Sequence, residues 1–372
     1  MIKISAPGKL FLSGEWAVLE VGNPGIVTAV NKRVFAEIEE DDKISVSIDD
    51  FGIENLGAEF DGNELRWERE LSDEEKEQTR FIKGSIETAL KYLGSNAKKG
   101  FRIRSWGEQS QVEIDGQIKK IGFGSSAASV VAVIAAILKL NGQGIESKEE
   151  KDRVYKLSAI AHYFAQGKIG SAFDVAASTY GGVFVYQRFD PKWLTEKLES
   201  GESIRDVVEQ NWPSFKAEPL NIPEDFRLII GWTKESASTS AMVKQLNEWA
   251  STNQEEYRKL YDQIANLVRE LISAWKSKNR EKILELIRKN EDFLRELGQA
   301  SGVNIETEDL KKLSDIANRN GAAGKLSGAG GGDCGIAVCF SEDAAGNVRN
   351  EWQHSGFYLV DAAVDYNGVR AE

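Results

Sequence analysis

Two serines that follow a pair of spaced glycines are the first residues whose types and spacing suit chemistry. In the segment GFGSSAAS, Gly122 and Gly124 allow a tight turn, and Ser125 and Ser126 come next. The apolar run behind them predicts a buried helix over 125–140, whose first N–H groups have no helical partner. Such N–H groups and the helix dipole favour phosphate oxygens, and a serine hydroxyl can bind phosphate or ligate Mg²⁺. The pattern predicts a phosphate site, although an ordinary glycine turn with a serine N-cap has the same appearance.

A second glycine-rich segment, KLSGAGGGDCG, occupies residues 325–335. It has five glycines in the eight positions from Gly328 to Gly335, and ordering them costs much conformational entropy. Because Leu326 and the apolar residues IAVCF flank the segment, it reads as a fixed loop that passes close to a ligand rather than a flexible surface loop.

A lysine and an aspartate beside further glycines complete the candidates. Lys9 follows an apolar strand and the pair Pro7-Gly8, so we expect it to project from a fixed turn. Asp174 follows a short glycine turn in the segment GSAFDVAASTYGG. Taken singly, Lys9 reads as a surface lysine and Asp174 as an acid at a helix N-terminus.

Composition and missing motifs exclude several classes of protein. No G-x-x-x-x-G-K-[ST] or G-x-G-x-x-G pattern occurs, which disfavours P-loop NTPases and Rossmann dehydrogenases. Cys334 and Cys339 are too few for a disulfide framework, and with two distant histidines they do not suggest zinc. A net charge of −12 argues against nucleic-acid binding. No run approaches the roughly 18 apolar residues of a membrane span, and the N-terminus does not resemble a signal peptide, so we expect a cytoplasmic protein with no membrane partner.

The periodicity of apolar residues predicts an α+β chain. Strands are expected at residues 2–4, 34–38, 44–48, 101–104, 226–230 and 334–340. Helices are expected from the capping box at Ser72 and Glu75 to Gly94, at 125–140, from Ser147 to about 164, from about 239, and at 254–276, 279–297 and 308–320. The pattern of apolar residues changes past residue 220, which suggests two lobes split somewhere between residues 188 and 225; we divide the chain into residues 1–190 and 191–372.

Four segments in this order resemble the motifs of the GHMP kinase family: PGKLFLSGEW at 7–16, GFGSSAAS at 122–129, SAFDVAASTYGG at 171–182 and KLSGAGGGDCG at 325–335. The resemblance spans nearly the whole chain. It implies an N-terminal, ribosomal-S5-like lobe that binds ATP, a C-terminal α/β lobe, and substrate between the two lobes.

Within the family the chain is most similar to bacterial members that phosphorylate 5-phosphomevalonate. The similarity rests on Asp333-Cys334 in the last motif, on Lys120 two positions before the first loop glycine, and on GWTKESASTSAMV at 231–243. It implies that Mg-ATP phosphorylates 5-phosphomevalonate to 5-diphosphomevalonate in the mevalonate pathway. Another kinase of the family acting on mevalonate or a sugar, a related decarboxylase, and a non-catalytic sensor remain as alternatives.

The resemblance also assigns roles to residues. It implies catalytic roles for Lys9, Lys120 and Asp174; contacts with ATP for Gly122, Gly124, Ser125 and Ser126, of which Ser126 also meets the metal; and contacts with substrate for Lys9, Glu15, Ser171, Thr239, Ser240, Ala329 and Gly330. Many relatives acting on mevalonate carry a metal-binding glutamate eleven residues before the aspartate, where this chain has Tyr163. Magnesium would then depend on Ser126, phosphate oxygens and water.

The expected role of Asp174 depends on the chemical nature of the acceptor. With a hydroxyl acceptor, Asp174 would be the general base. A phosphate acceptor has a second pKa of about 6, so it is already ionised at neutral pH and needs little base catalysis. We therefore expect Lys9 and Lys120 to bridge the two phosphates, Asp174 to position Lys9, and Thr239 and Ser240 to bind the acceptor phosphate. His162 is expected to be a packed or surface histidine.

Overall fold

The computed structural model describes residues 1–107, 121–235 and 238–372, and the backbone alone of residues 111–114 and 117–120. The strands are β1 (Ile2–Ser13), β2 (Gly25–Glu40), β3 (Ile44–Ile48), β4 (Ile53–Phe60), β5 (Leu65–Trp67), β6 (Phe101–Gly107), β7 (Gln111–Ile114), β8 (Gln117–Lys120), β9 (Val183–Gln187), β10 (Lys216–Pro219), β11 (Arg227–Trp232), β12 (Ala323–Leu326), β13 (Cys334–Cys339), β14 (Tyr358–Leu359) and β15 (Arg370–Ala371). The helices are α1 (Asp73–Leu93), α2 (Ser125–Leu140), α3 (Lys148–Ala165), α4 (Phe173–Tyr180), α5 (Pro191–Glu199), α6 (Ile204–Glu209), α7 (Thr239–Thr252), α8 (Gln254–Lys276), α9 (Arg280–Ser301), α10 (Glu308–Arg319) and α11 (Glu342–His354). This mixture confirms the predicted α+β class.

The first sheet is built around the long strand β2. In the described part of the chain it has nine strands in the order β10-β9-β2-β6-β3-β4-β5, with β1 pairing β2 and β15. Because β2 is 16 residues long, it pairs with β1 along most of its length, with β9 near its start and with β6 near its end. Helix α2 packs across β1 and β2, which fixes its N-terminus relative to the side chains of β1.

The second sheet is smaller and antiparallel. Its order is β12-β13-β11-β14, and helices α9 and α10 pack against β12. Helices α8 and α9 pair with each other, and the apolar residues of α8 repeat at the spacing of one helical face. The turn between β12 and β13, residues 327–333, thus follows a strand that α9 and α10 cover.

Strand β1 separates the two hydrophobic cores. Its side chains alternate, so that Ile4, Ala6 and Phe11 belong to the first core while Leu10 and Leu12 belong to the second. The strand is thus buried on both faces, and residues that it carries are held between the two lobes.

Most predicted helices are confirmed, and α2 has the predicted bounds. The capping boxes at Ser72 and Ser147 are present, with Glu75 and Glu150 as the partner residues. The turn predicted at Pro7-Gly8 is wrong. The strand β1 continues through it, with a register shift between the two residues, because the long partner β2 supplies hydrogen-bonding groups on both sides of the irregularity.

Parts of residues 191–372 belong to the first sheet and its core. Strand β10 pairs with β9, and Leu194 of α5 and Val207 of α6 lie in the first core. Near the end of the chain, β15 pairs with β1, and Asp365 forms a buried ion pair with Arg33 of β2. The division into residues 1–190 and 191–372 stays a prediction.

A search of the described residues for helices long and apolar enough to cross a membrane found none.

Candidate active site

A cavity of about 950 Å³ lies where the four sequence motifs meet. Its walls include residues from β1, from the loop before α2, from the start of α4, from the start of α7 and from the turn between β12 and β13. The predicted site residues that line it are Lys9, Glu15, Gly122, Gly124, Ser125, Ser126, Ser171, Asp174, Thr239, Ala329 and Gly330.

Two predicted residues are not part of this set. Ser240 is exposed and is not among the described residues that line the cavity, because it follows Thr239 on the helix and points elsewhere. The backbone of Lys120 ends β8, but its side chain lies outside the described residues.

The first residues of α2, Ser125 and Ser126, line the cavity. Gly124 is the N-cap of α2 with φ 76°, and no side-chain oxygen of the described residues caps the helix. This left-handed backbone favours glycine. A Cβ on Gly124 would also approach the Lys9 side chain to 3.1 Å. The loop therefore presents backbone donors to the cavity next to a lysine.

The Lys9 ammonium is held by the backbone of the loop. Its Nζ donates a hydrogen bond to Gly122 O at 3.0 Å, and its backbone N donates to Phe123 O at 2.9 Å. Among the described residues no ion pair joins Lys9 to Asp174. The structure therefore gives no support to the expectation that Asp174 positions Lys9: a carbonyl oxygen of the loop holds the ammonium instead.

Asp174 lies in the first turn of α4. Its Oδ1 accepts a hydrogen bond from Val175 N at 2.9 Å, and its Oδ2 lies 4.0 Å from His162 Nε2. The preceding Ala172 has φ 60°, a left-handed conformation that turns the chain sharply into the helix. The carboxylate is thus fixed at a helix N-terminus, close to a histidine.

Asp333 is a site residue that the sequence did not reveal. Its Oδ1 accepts a hydrogen bond from Gly122 N at 3.1 Å, and a Cβ on Gly122 would lie 1.8 Å from its Oδ2. Burial raises the pKa of Asp333, while the nearby Lys9 ammonium and the Gly122 N–H favour the charged form. In the sequence, the motif GGGDCG indicated only a similarity to a family. The hydrogen bond between Asp333 and Gly122, 211 residues away, could not be inferred from residue spacing.

A buried ion pair links the two lobes beside the cavity. Glu15 and Lys325 are both buried, and Lys325 Nζ donates to Glu15 Oε1 and to Leu326 O. Leu326 N donates to Glu291 Oε2 at 2.9 Å. The sequence motif around Lys325 indicated a glycine-rich loop but not this ion pair, because Glu15 lies 310 positions away.

Three buried polar atoms on the cavity wall have no hydrogen-bond partner within the described part of the chain. They are Glu15 Oε2, Trp16 Nε1 and Ser171 Oγ. A buried polar group without a partner costs about 1–3 kcal/mol, so such atoms mark places where a ligand can supply the missing hydrogen bond. Two of them, on Glu15 and Ser171, belong to residues predicted to contact substrate.

His162 is buried, as expected of a packed histidine, but its position was not anticipated. Its Nε2 lies 3.3 Å from Ser126 Oγ, directly behind the cavity wall. Cys334 is a buried small side chain, and burial raises its pKa well above the usual value, which agrees with a packing role.

A larger, more open groove of about 1640 Å³ runs along α1. None of the predicted site residues is among the described residues that line it. Size alone would favour this groove, but the smaller cavity is where the candidate chemical groups meet, and we assign the site there.

Comparison with known proteins agrees with this architecture. Residues 80–182 match the GHMP kinases N terminal domain, and residues 271–358 match the GHMP kinases C terminal domain. The chain therefore belongs to the GHMP kinase family.

Individual relatives cover nearly the whole chain. A phosphomevalonate kinase of Streptomyces sp. (strain CL190) is 30% identical, over 98% of this chain and 97% of that protein. The structure of a Lin0012 protein from Listeria innocua has a TM-score of 0.88 and 30% identity, covering 100% of this chain and 99% of that one. Phosphomevalonate kinase of Streptococcus pneumoniae in complex with phosphomevalonate and AMPPNP has a TM-score of 0.80 and 26% identity, covering 98% and 100%.

Proposed function

We propose that this protein is a phosphotransferase that moves the γ-phosphoryl group of ATP to the phosphate of 5-phosphomevalonate, forming 5-diphosphomevalonate. The observation that carries the proposal is the convergence of Lys9, the loop before α2, Asp174 and the turn between β12 and β13 on one cavity. The substrate is chosen because the relatives that match over the full length include phosphomevalonate kinases.

The nucleotide phosphates belong at the N-terminus of α2. The N–H groups of the first turn of α2, the helix dipole and the hydroxyls of Ser125 and Ser126 provide neutral donors for anionic oxygens. With a net charge of −12, the protein relies on such local donors rather than on its overall charge. A cavity of about 950 Å³ is near the upper end of the range for small-molecule sites, as two ligands require.

Magnesium fits the site as an ion bound mainly by its substrate. In the described part of the chain, no group of three or more His, Cys, Asp and Glu side chains is arranged to hold a metal ion. Mg²⁺ usually keeps several waters and binds through few protein ligands together with substrate phosphates. Ser126 Oγ and the Asp174 carboxylate are the protein oxygens we assign to it. When bound, it neutralises negative charge on the phosphates.

Charge compensation is the main task in this reaction, because two anions must approach each other. The Lys9 ammonium lies at the junction of the loop and β1, so we place it between the γ-phosphate and the acceptor phosphate, with Lys120 as a second cation. The acceptor phosphate is already ionised at neutral pH, so Asp174 need not remove a proton. Thr239, the first residue of α7, lines the cavity, so we assign the acceptor phosphate to this helix N-terminus.

The test is an ADP-release assay that compares phosphomevalonate with mevalonate. We expect turnover with phosphomevalonate, and a loss of about 10³-fold in kcat for Lys9→Ala, the size found when a preorganised charge-stabilising donor is removed. Lys3→Ala, on the same strand but outside the cavity lining, is the matched control and should retain full activity. Preferred turnover of mevalonate would reject the assigned substrate, and unchanged turnover in Lys9→Ala would reject the role of that lysine.

The variant Asp174→Asn tests whether the negative charge of Asp174 is needed, because asparagine has nearly the same shape. The amide keeps an oxygen for the Val175 N–H but loses the negative charge. If Asp174 is a general base, the Asp174→Asn variant should lose most of its activity at every pH. If Asp174 only helps to hold the metal and the nucleotide, the variant should instead bind Mg-ATP more weakly. We expect the second result with the phosphate acceptor.

A further inference from the structure

A histidine behind the wall of the cavity touches two of its proposed functional groups. His162 of α3 is only 2% exposed, and its Nε2 lies 3.3 Å from Ser126 Oγ and 4.0 Å from Asp174 Oδ2. Ser126 is the second residue of α2 and Asp174 the second residue of α4, so one imidazole nitrogen meets the N-terminal turns of two helices.

The imidazole is held tightly in this place. It stacks on the ring of Phe81 from α1, with the two ring centroids 5.0 Å apart. Helix α3 packs against α1, α2 and α4, so the ring has little freedom to move. Burial lowers the pKa of His162, the nearby Asp174 carboxylate opposes this shift, and Arg80 adds to it. In its neutral form an imidazole has one N–H donor and one acceptor nitrogen.

The neighbours select which nitrogen carries the proton. A carboxylate oxygen 4.0 Å from Nε2 favours a proton on that nitrogen, because a lone pair facing a carboxylate is repelled. With the proton on Nε2, the ring donates to Ser126 Oγ. The hydroxyl then keeps its own proton and its second lone pair for groups inside the cavity.

We propose that His162 is a positioning residue of the phosphotransfer site, which donates a hydrogen bond from Nε2 to the Ser126 hydroxyl and so fixes this hydroxyl relative to the Asp174 carboxylate, 4.0 Å from the same nitrogen. This proposal takes the acceptor, phosphomevalonate, from the proposed function. Its effect on nucleotide binding does not depend on which acceptor the protein uses. Such residues behind a metal or phosphate ligand orient it, and their loss typically costs about 10- to 100-fold in activity or metal affinity.

The experiment compares His162→Leu with His162→Gln. Leucine keeps an apolar side chain in the buried position and removes the donor, whereas glutamine places an amide N–H near the position of Nε2. We expect His162→Leu to lower kcat by about 10- to 100-fold and to raise the Mg²⁺ concentration needed for half-maximal rate, with an unchanged KM for phosphomevalonate. His162→Gln should recover most of the lost activity.

A second readout does not depend on the acceptor. Calorimetric titration with Mg-ADP should show weaker binding for His162→Leu and near-normal binding for His162→Gln. Ser158→Ala, one helical turn earlier and also buried, is the matched control for disturbing α3 and should leave binding unchanged. If the wild-type protein binds Mg-ADP but does not turn over phosphomevalonate, the proposed substrate fails while the role of His162 is still tested.

Two results would overturn the role. One is full activity and normal Mg-ADP binding in His162→Leu. The other is an equal loss in both variants that parallels a fall in Tm, because a residue needed only for packing would affect activity through folding and would not be rescued by glutamine.

Discussion

Two glycine-rich segments line the same cavity but are fixed in different ways. The first, residues 122–126, leads into α2, whose residues 127–138 are almost all fully buried and apolar. The second, residues 327–333, joins β12 to β13. Its start is fixed by the Lys325–Glu15 ion pair and the hydrogen bond from Leu326 N to Glu291, and its end by backbone hydrogen bonds from Gly331 N to Ile305 O and from Asp333 N to Glu235 O.

The difference shows which kind of support a sequence reveals. An apolar helix is continuous in sequence, so the support of the first segment is visible in the residues that follow it. The polar support of the second segment comes from Glu15, 310 positions away from Lys325, and from Glu291, 35 positions away from Leu326. No local pattern connects these partners. The predictions below test whether the second segment depends on its charges as the first depends on its helix.

The largest effect is expected from Lys325→Met. Removing the ammonium leaves the Glu15 carboxylate buried without its cation, which typically costs about 3–5 kcal/mol. Urea unfolding should show this loss, and a second substitution, Glu15→Gln, should restore part of it. Lys311→Met on the exposed side of α10 is the control. An equal, small loss in both lysine variants would mean that the buried pair does not support the segment.

Gly330→Ala is expected to cost about 3 kcal/mol, because it combines backbone strain with a clash. Gly330 has φ 83°, and a Cβ there would lie 2.0 Å from Ile305 O. Gly328 has φ 96° with no atom within 4 Å of such a Cβ, so Gly328→Ala should cost only about 1 kcal/mol. Equal losses in unfolding free energy would show that strain alone limits the segment.

Gly122→Ala tests the contact between the two segments. The new Cβ would overlap the Asp333 carboxylate, so we expect kcat/KM to fall by about 10²-fold. Asp333→Ala removes the three atoms nearest that Cβ, so Gly122→Ala should do little further harm in this background. If the two losses simply multiply in the double variant, the close contact is not the reason for glycine at position 122.

The last expected effect is a change in the slope of stability against pH, rather than a loss at one pH. Burial raises the pKa of Glu291 to about 8, against the favourable Lys325 charge and the Leu326 N–H. The folded state then binds a proton that the unfolded state has released, so stability falls as pH rises from about 4.5 towards 8, by at most about 1.4 kcal/mol per pH unit. Glu291→Gln should flatten the profile in this range. Parallel profiles for the two proteins would contradict the shift.

The sequence predicted the scaffold of the first segment and little of the second. The apolar run gave the bounds of α2, and the glycine and serine spacing located its N-terminus, because both signals are local. Lys9 was found, but its hydrogen-bond partner was not, since the continuation of β1 through Pro7 and Gly8 depends on its pairing with β2. His162, Asp333 and Lys325 act through residues distant in the chain, so their roles required the tertiary structure.

The return of residues 364–371 to the first sheet has a consequence for how the protein is made. Strand β15 adds to β1, which starts at Ile2, and Asp365 pairs with the buried Arg33 guanidinium. Domains tend to fold as units while the ribosome still extends the chain. Here the first sheet lacks an edge strand and one buried charge lacks its counter-ion until residues 365–371 have left the exit tunnel. The first sheet is therefore completed only after residues 191–364 have been synthesised.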